Sequence, residues 1–207
     1  MIRKINKVKY IIELGEVSKE VSDVLILWST KTLSQGDKIW KKINLEAGSI
    51  LYEEALAALT QYGFKDFNEQ LILPPSHCIF TKGGRLDVYF IIHSVLPDKR
   101  IKLEEENKLM LLIRALNNIT MLSQGLTYNT VPVYSLVFYP IPEDVYGKIT
   151  NKELNVFFES ILSIKNYKEI KIVCNTKEEY EMYSSYFEKK YIPLWERIVN
   201  KLFNNKF

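Results

Sequence analysis

Side chains able to move a proton, attack a carbon or hold an anion are sparse in this chain, and their placement narrows the chemistry open to it. The two histidines are His77 and His93. His93 lies inside the apolar run Val88 to Val95, the setting of a core histidine whose ring nitrogens are satisfied internally. His77 and Cys78 are adjacent, and neighbours in a strand point to opposite faces, so no nucleophile-base pair is expected of them. Cys78 and Cys174 are the only cysteines and lack metal-ligand spacing, which predicts reduced thiols and no structural zinc. None of the 25 carboxylates pairs with another at a recognisable acid/base spacing.

Two loops remain as candidate binding elements. Ser29-Thr30-Lys31-Thr32-Leu33-Ser34-Gln35-Gly36 follows an apolar strand and opens a helix, where backbone amides and hydroxyls can hold phosphate oxygens. It carries neither the Gly-rich dinucleotide fingerprint nor the Gly-Lys-Ser/Thr of a P-loop. Pro142-Glu143-Asp144-Val145-Tyr146-Gly147 is the second, and it reads equally well as an ordinary turn.

The elements that must position these loops alternate along the chain. Lys9 to Leu14, Val24 to Trp28, Val88 to Val95 and Glu169 to Cys174 are short apolar runs read as strands. Val131 to Ile141 is another, its ladder restricted by Pro132 and Pro140. Apolar residues at intervals of three and four between Gly36 and Gly63 predict two helices, the second capped by Ser49 and stopped by Gly63. One long helix is expected from Leu103 to Gln124, ending at Gly125, with further helices over Asn151 to Ile164 and Lys177 to Lys190. A short element is expected between Pro75 and Gly83. Trp195, Ile198, Val199 and Leu202 form the stripe of a last helix, packed on its own domain or on a protein partner. Strand-helix alternation implies an α/β sandwich, with ligands at the carboxyl ends of the strands.

The 207 residues suit one domain, 47% of them apolar and 13% aromatic, so disorder and collagen-like order are excluded. The formal net charge is +3, and both ends of the chain are basic. No Arg-Gly run or recognition-helix pattern accompanies that charge, so no nucleic-acid duplex partner is expected. The longest uncharged run, Ala115 to Pro142, is broken by polar residues and Pro132, so no membrane span is expected. Met1 to Leu14 does not read as a signal peptide, and a cytoplasmic location is the expectation.

Several strings, in order, resemble those of the macro domains, a family that binds ADP-ribose and related nucleotides. Gly15-Glu16-Val17-Ser18 is similar to that family's Gly-Asp-Ile-Thr, and Asp23 to Thr30 to its Asp-Ala-Ile-Val-Asn-Ala-Ala-Asn. Glu46-Ala47-Gly48 resembles Ala-Ala-Gly, and Ser76 to Gly83 follows Gly-x-Ala-x-x-Thr-x-Gly. Ile92-His93-Ser94-Val95-Leu96-Pro97 is similar to Ile-His-Thr-Val-Gly-Pro, and Ile141 to Gly147 to Ile-Ser-Thr-Gly-Val-Tyr-Gly. The resemblance runs from about Lys9 to Lys190. It implies a three-layer α/β/α sandwich with a mixed, largely parallel central sheet, a nucleotide-binding domain over 1–190 and an appended amphipathic helix over 191–207.

The resemblance also implies a site. Glu16 would accept from the adenine amino group, the amides of Val145, Tyr146 and Gly147 would hold diphosphate, and Tyr146 would pack on a ribose. Asn175 would meet the adenine edge and Tyr180 would stack on it, with Ser29, Thr30, Gly36 and Asp144 completing the lining. Neither cofactor nor metal is implied. Thr30 stands where the family has the Asn that holds the distal ribose, Gly36 is what remains of a glycine triplet, Asp144 replaces a glycine and Pro142 removes an amide. These departures imply non-catalytic binding of ADP-ribose or an NAD-derived signalling nucleotide, as in a sensor for antiviral defence. The alternatives are an ADP-ribosyl hydrolase, with water placed by Asp37 or Asp144, and a scaffold with a degenerate pocket.

Overall fold

The computed structural model describes residues 1–33, 38–129 and 132–193. The strands are β1 (Ile2–Ile5), β2 (Val8–Leu14), β3 (Ser22–Ser29), β4 (Cys78–Lys82), β5 (Val88–Val95), β6 (Ser135–Phe138) and β7 (Glu169–Cys174). Among the described residues the helices are α1 (Lys38–Ala47), α2 (Ser49–Tyr62), α3 (Glu105–Asn129), α4 (Asn151–Ser163) and α5 (Lys177–Tyr191), with a 3-10 turn at Val17–Lys19.

The strands form one seven-stranded sheet in the order β1-β2-β7-β6-β3-β5-β4. Antiparallel pairing is confined to β1 with β2 and β4 with β5, and every other neighbour is parallel. The carboxyl ends of β2, β7, β6, β3 and β5 therefore share one edge. Central strands buried on both faces need continuous apolar sequence, and β3 has it: Val24 to Leu27 are fully buried. α1 packs on α2 and β3, while α3 packs on α4 and β5, and α5 on α4, β2 and β7. Helices on both faces make a three-layer α/β/α sandwich.

Caps fix where the helices next to the site begin. Thr150 with Glu153, and Thr176 with Glu179, form capping boxes at α4 and α5, each satisfying amides that have no intrahelical partner. α2 starts at Ser49 as a helical residue, so its cap is Gly48 rather than Ser49, and it ends on left-handed Gly63 at φ 68°. Gly125 does not stop α3. The helix continues to Asn129 because Leu126 still buries its side chain, and that burial outweighs the glycine's cost. The short element before Gly83 is β4, and β1 is a strand the sequence reading lacked. The expected helix beyond Pro193, with Trp195, Ile198, Val199 and Leu202, lies outside the described residues. Among the described residues, no helix is long and apolar enough to cross a membrane.

Candidate functional site

A cavity of about 600 Å³ opens at the carboxyl ends of β6 and β7. Ile39 and Lys42 of α1 wall one side, Pro140 to Asp144 the floor, and Asn175, Thr176, Glu178, Glu179 and Met182 the other side. The β2–β7 ladder runs past its strands, since the Gly15 amide donates to the Cys174 carbonyl at 2.9 Å. That extension carries Glu16 and Asn175 to the same annex of the cavity, where Lys42 joins them. The Lys42 ammonium donates to the Glu16 carboxylate at 2.6 Å, and this hydrogen bond holds the Glu16 carboxyl below its ordinary range.

The loop Pro142–Gly147 corrects an expectation. Its Val145 and Tyr146 amides donate to the Pro142 carbonyl at 3.1 and 2.8 Å, and the Gly147 amide donates to Glu143 at 3.0 Å. The three amides assigned to diphosphate are thus engaged inside one helical turn. The first two amides of that turn, those of Glu143 and Asp144, donate to none of the described residues. Pro142 has no N–H to offer. Tyr146 is fully buried with Lys108 Nζ 4.2 Å above its ring, so it packs in the core and not on a ribose. Gly147 closes the turn at φ 97°, a conformation that favours glycine.

Tyr180 is also placed elsewhere. It leaves α5 on the side opposite Glu178 and Met182, and its hydroxyl accepts from the Met1 ammonium at 3.3 Å. Met182, one turn after Glu178, takes the place on the cavity that the sequence reading gave to Tyr180. Ser29 is buried, with its Oγ 3.4 Å from His93 Nδ1, and the Thr30 carbonyl accepts from the Leu33 amide at 3.0 Å. Neither lines this cavity. Gly36 and Asp37 lie outside the described residues. Glu16, Asp144 and Asn175 are the expected residues that do meet here. Lys42, Ile39 and Met182 were missed, although Ile39 and Lys42 are three apart on α1 and so share a face.

His93 is a core histidine: its Nε2 lies 3.0 Å from Thr81 Oγ1, and burial pushes its pKa down to about 4. Cys78 and Cys174 are free thiols, each pushed up to about 12 by burial, which leaves them protonated and unreactive at neutral pH. Among the described residues, no group of His, Cys, Asp and Glu is placed to hold a metal ion.

No family model matches the chain. A mutant of the Oceanobacillus iheyensis macrodomain, solved with ADPR, superposes with a TM-score of 0.74 at 23% identity, covering 91% of this chain and 97% of that one. The Trypanosoma brucei macrodomain in complex with ADP-ribose gives a TM-score of 0.68 at 16% identity, over 85% of this chain and 68% of that one. The fold is that of a macrodomain. By sequence, an O-acetyl-ADP-ribose deacetylase of Citrobacter rodentium is 26% identical over 171 residues, which is 82% of this chain and 89% of that protein.

Within this macrodomain fold the cavity has an uneven charge. Glu143, Asp144, Glu178 and Glu179 line it against Lys42, the one cation among its described lining residues. Two of those carboxylates are turned to structural work. Glu179 Oε2 accepts from the Asn175 and Thr176 amides at 2.8 and 3.2 Å, and Glu143 Oε1 accepts from the Ile149 amide at 2.9 Å. Asp144 and Glu178 remain exposed at the mouth.

Proposed function

We propose that this chain binds ADP-ribose or another NAD-derived nucleotide in the 600 Å³ cavity and does not turn it over. The observation that carries the reading is the convergence of Glu16, Lys42 and Asn175 on one end of that cavity, which Glu143 and Asp144 also line. An adenine laid between Ile39 and Met182 would donate its amino group to Glu16. Its diphosphate would take the two amides that the turn leaves over. Thr30 supplies a single hydroxyl where the resembled motif supplies an amide, and the hydroxyl cannot make the amide's paired donor and acceptor contacts for orienting a ribose or a water. As a receptor of this kind the protein would serve as a sensor of an NAD-derived signal, for instance in antiviral defence.

Calorimetric titration with ADP-ribose and ADP, together with mass spectrometry of small molecules that co-purify, tests this. Saturable one-to-one binding is expected. Absence of heat at millimolar nucleotide, with no co-purifying ligand, rejects it.

A second reading has one observation in its favour, the sequence likeness to the Citrobacter rodentium deacetylase. Release of acetate from O-acetyl-ADP-ribose, or of ADP-ribose from modified protein, at an enzymatic rate would establish turnover and displace the receptor reading.

A further inference from the structure

A groove of about 470 Å³ opens where β4 begins, lined by Tyr62 at the end of α2, by His77 and Cys78, and by Asn118, Met121 and Leu122 of α3. It shares no lining residue with the nucleotide cavity. Its polar side chains spend donors on the backbone. Ser76, at φ 72°, bulges the chain here: its amide donates to the Val95 carbonyl at 2.8 Å, while the Val95 amide donates to the His77 carbonyl at 3.2 Å. The neighbouring carbonyls take side-chain donors instead. Asn118 Nδ2 donates to the Ser76 carbonyl at 2.9 Å and the Tyr62 hydroxyl to that of Cys78 at 3.2 Å. His77 Nδ1 lies 3.3 Å from the Pro75 carbonyl, which can only accept, so that nitrogen carries the hydrogen.

Those bonds decide what the groove can hold. With its hydrogen on Nδ1, the neutral His77 ring keeps Nε2 as an acceptor, and Tyr62 Oη and Asn118 Oδ1 keep lone pairs as well. Against these acceptors stand the spare N–H of Asn118 and the weak S–H of Cys78, and neither Lys nor Arg is among the described lining residues. A donor-rich ligand is complementary. No carboxylate is among those residues either, which disfavours a strongly hydrated ammonium, whereas a guanidinium is weakly hydrated, donates from a planar fork and stacks on aromatic rings. We propose that the groove receives the guanidinium of an arginine side chain on a partner peptide. The head lies among His77, Asn118 and Tyr62, and the aliphatic stem runs along Met121 and Leu122. Met121 is 70% exposed and Tyr62 47%, which leaves surface on both for the ligand to cover.

The probe is arginine capped as its N-acetyl amide, titrated into the full chain and followed by NMR, with lysine in the same capped form as the comparison. Saturable shifts at His77 and Asn118 with a millimolar Kd are expected for arginine, and binding about threefold or more weaker for lysine. Two substitutions at exposed Met121 test the placement. Met121→Lys should weaken arginine binding by about threefold or more and Met121→Glu should tighten it by a similar factor, because each sets a charge beside the guanidinium. No saturation by arginine at tens of millimolar overturns the inference, as does arginine binding that both Met121 variants leave unchanged. Lysine binding as tight as arginine overturns the choice of a guanidinium.

Discussion

Trp28 and Tyr139 exchange hydrogen bonds where the β3–β6 ladder ends. The indole N–H of Trp28 donates to the Tyr139 carbonyl at 3.1 Å, and the Tyr139 hydroxyl donates to the Trp28 carbonyl at 3.1 Å. The last backbone pair of that ladder is Ile26 with Phe138, so side chains take over its work at the edge that carries the site. Both residues are buried, and water cannot replace either bond. Trp28→Phe should therefore lower stability by about 1 to 3 kcal/mol, partly by stranding a buried carbonyl. Urea unfolding checks this: the midpoint should fall with the slope unchanged. An unaltered midpoint would show that the exchange contributes nothing net.

His93 gives the protein an acid limit. Burial lowers its folded pKa to about 4 from the ordinary 6.5, so between these values the unfolded chain binds a proton that the folded one does not. Stability is then fully present above pH 6.5 and is lost as pH falls toward 4, by at most about 1.4 kcal/mol per pH unit from this group. His93→Asn should be less stable at pH 7 yet show a flatter decline between pH 6.5 and 4. Equal slopes for the two proteins in denaturation series across that range would exclude His93 as the source.

What the sequence made legible follows from which signals are local. β2, β3, β5 and β7 announce themselves because buried parallel strands need unbroken apolar runs such as Val24 to Trp28. β1 escaped because an edge strand is half solvated: Ile2 and Lys4 are exposed while Arg3 and Ile5 are half-buried. Its turn uses Asn6 and Lys7 at φ 48° and 72°, without the glycine that marks such hairpins. At the site, Glu16 and Asn175 were readable from order along the chain. Tyr146 and Tyr180 were not, since an aromatic near a binding loop carries no mark of whether it faces ligand or core, and packing decided. Lys42 was invisible because its partner Glu16 is 26 residues away.

Glu16 and Lys42 make opposite demands on two measurements. Both side chains are exposed, and an exposed ion pair contributes little to folding. Glu16→Gln and Lys42→Met should leave the melting temperature within a degree or two, while each weakens nucleotide binding by about fivefold or more through loss of a charge-assisted hydrogen bond. If both variants bind ADP-ribose as the wild type does, the base lies elsewhere in the cavity.

The turn after β6 separates charge from backbone as influences on binding. Asp144 is exposed at the cavity mouth and has an ordinary backbone conformation, whereas the left-handed position is Gly147 at φ 97°. A carboxylate beside a diphosphate repels it through a solvent-rich path, so the penalty is modest and salt-sensitive. Asp144→Asn should therefore tighten binding by about two- to fivefold at low salt, and the gain should shrink as salt approaches about 1 M, where charges are screened within a few ångströms. Gly147→Ala acts by the other route. A Cβ there meets Lys108 Nζ at 3.4 Å and Lys99 Cβ at 3.5 Å, ordinary contacts, so its cost is the left-handed backbone, about 1 to 2 kcal/mol. That strain should loosen the turn presenting the Glu143 and Asp144 amides, lowering both stability and affinity with no dependence on salt. An Asp144→Asn protein whose affinity stays unchanged at low salt would place the diphosphate away from this turn, and the salt series on both variants would then report on the fold alone.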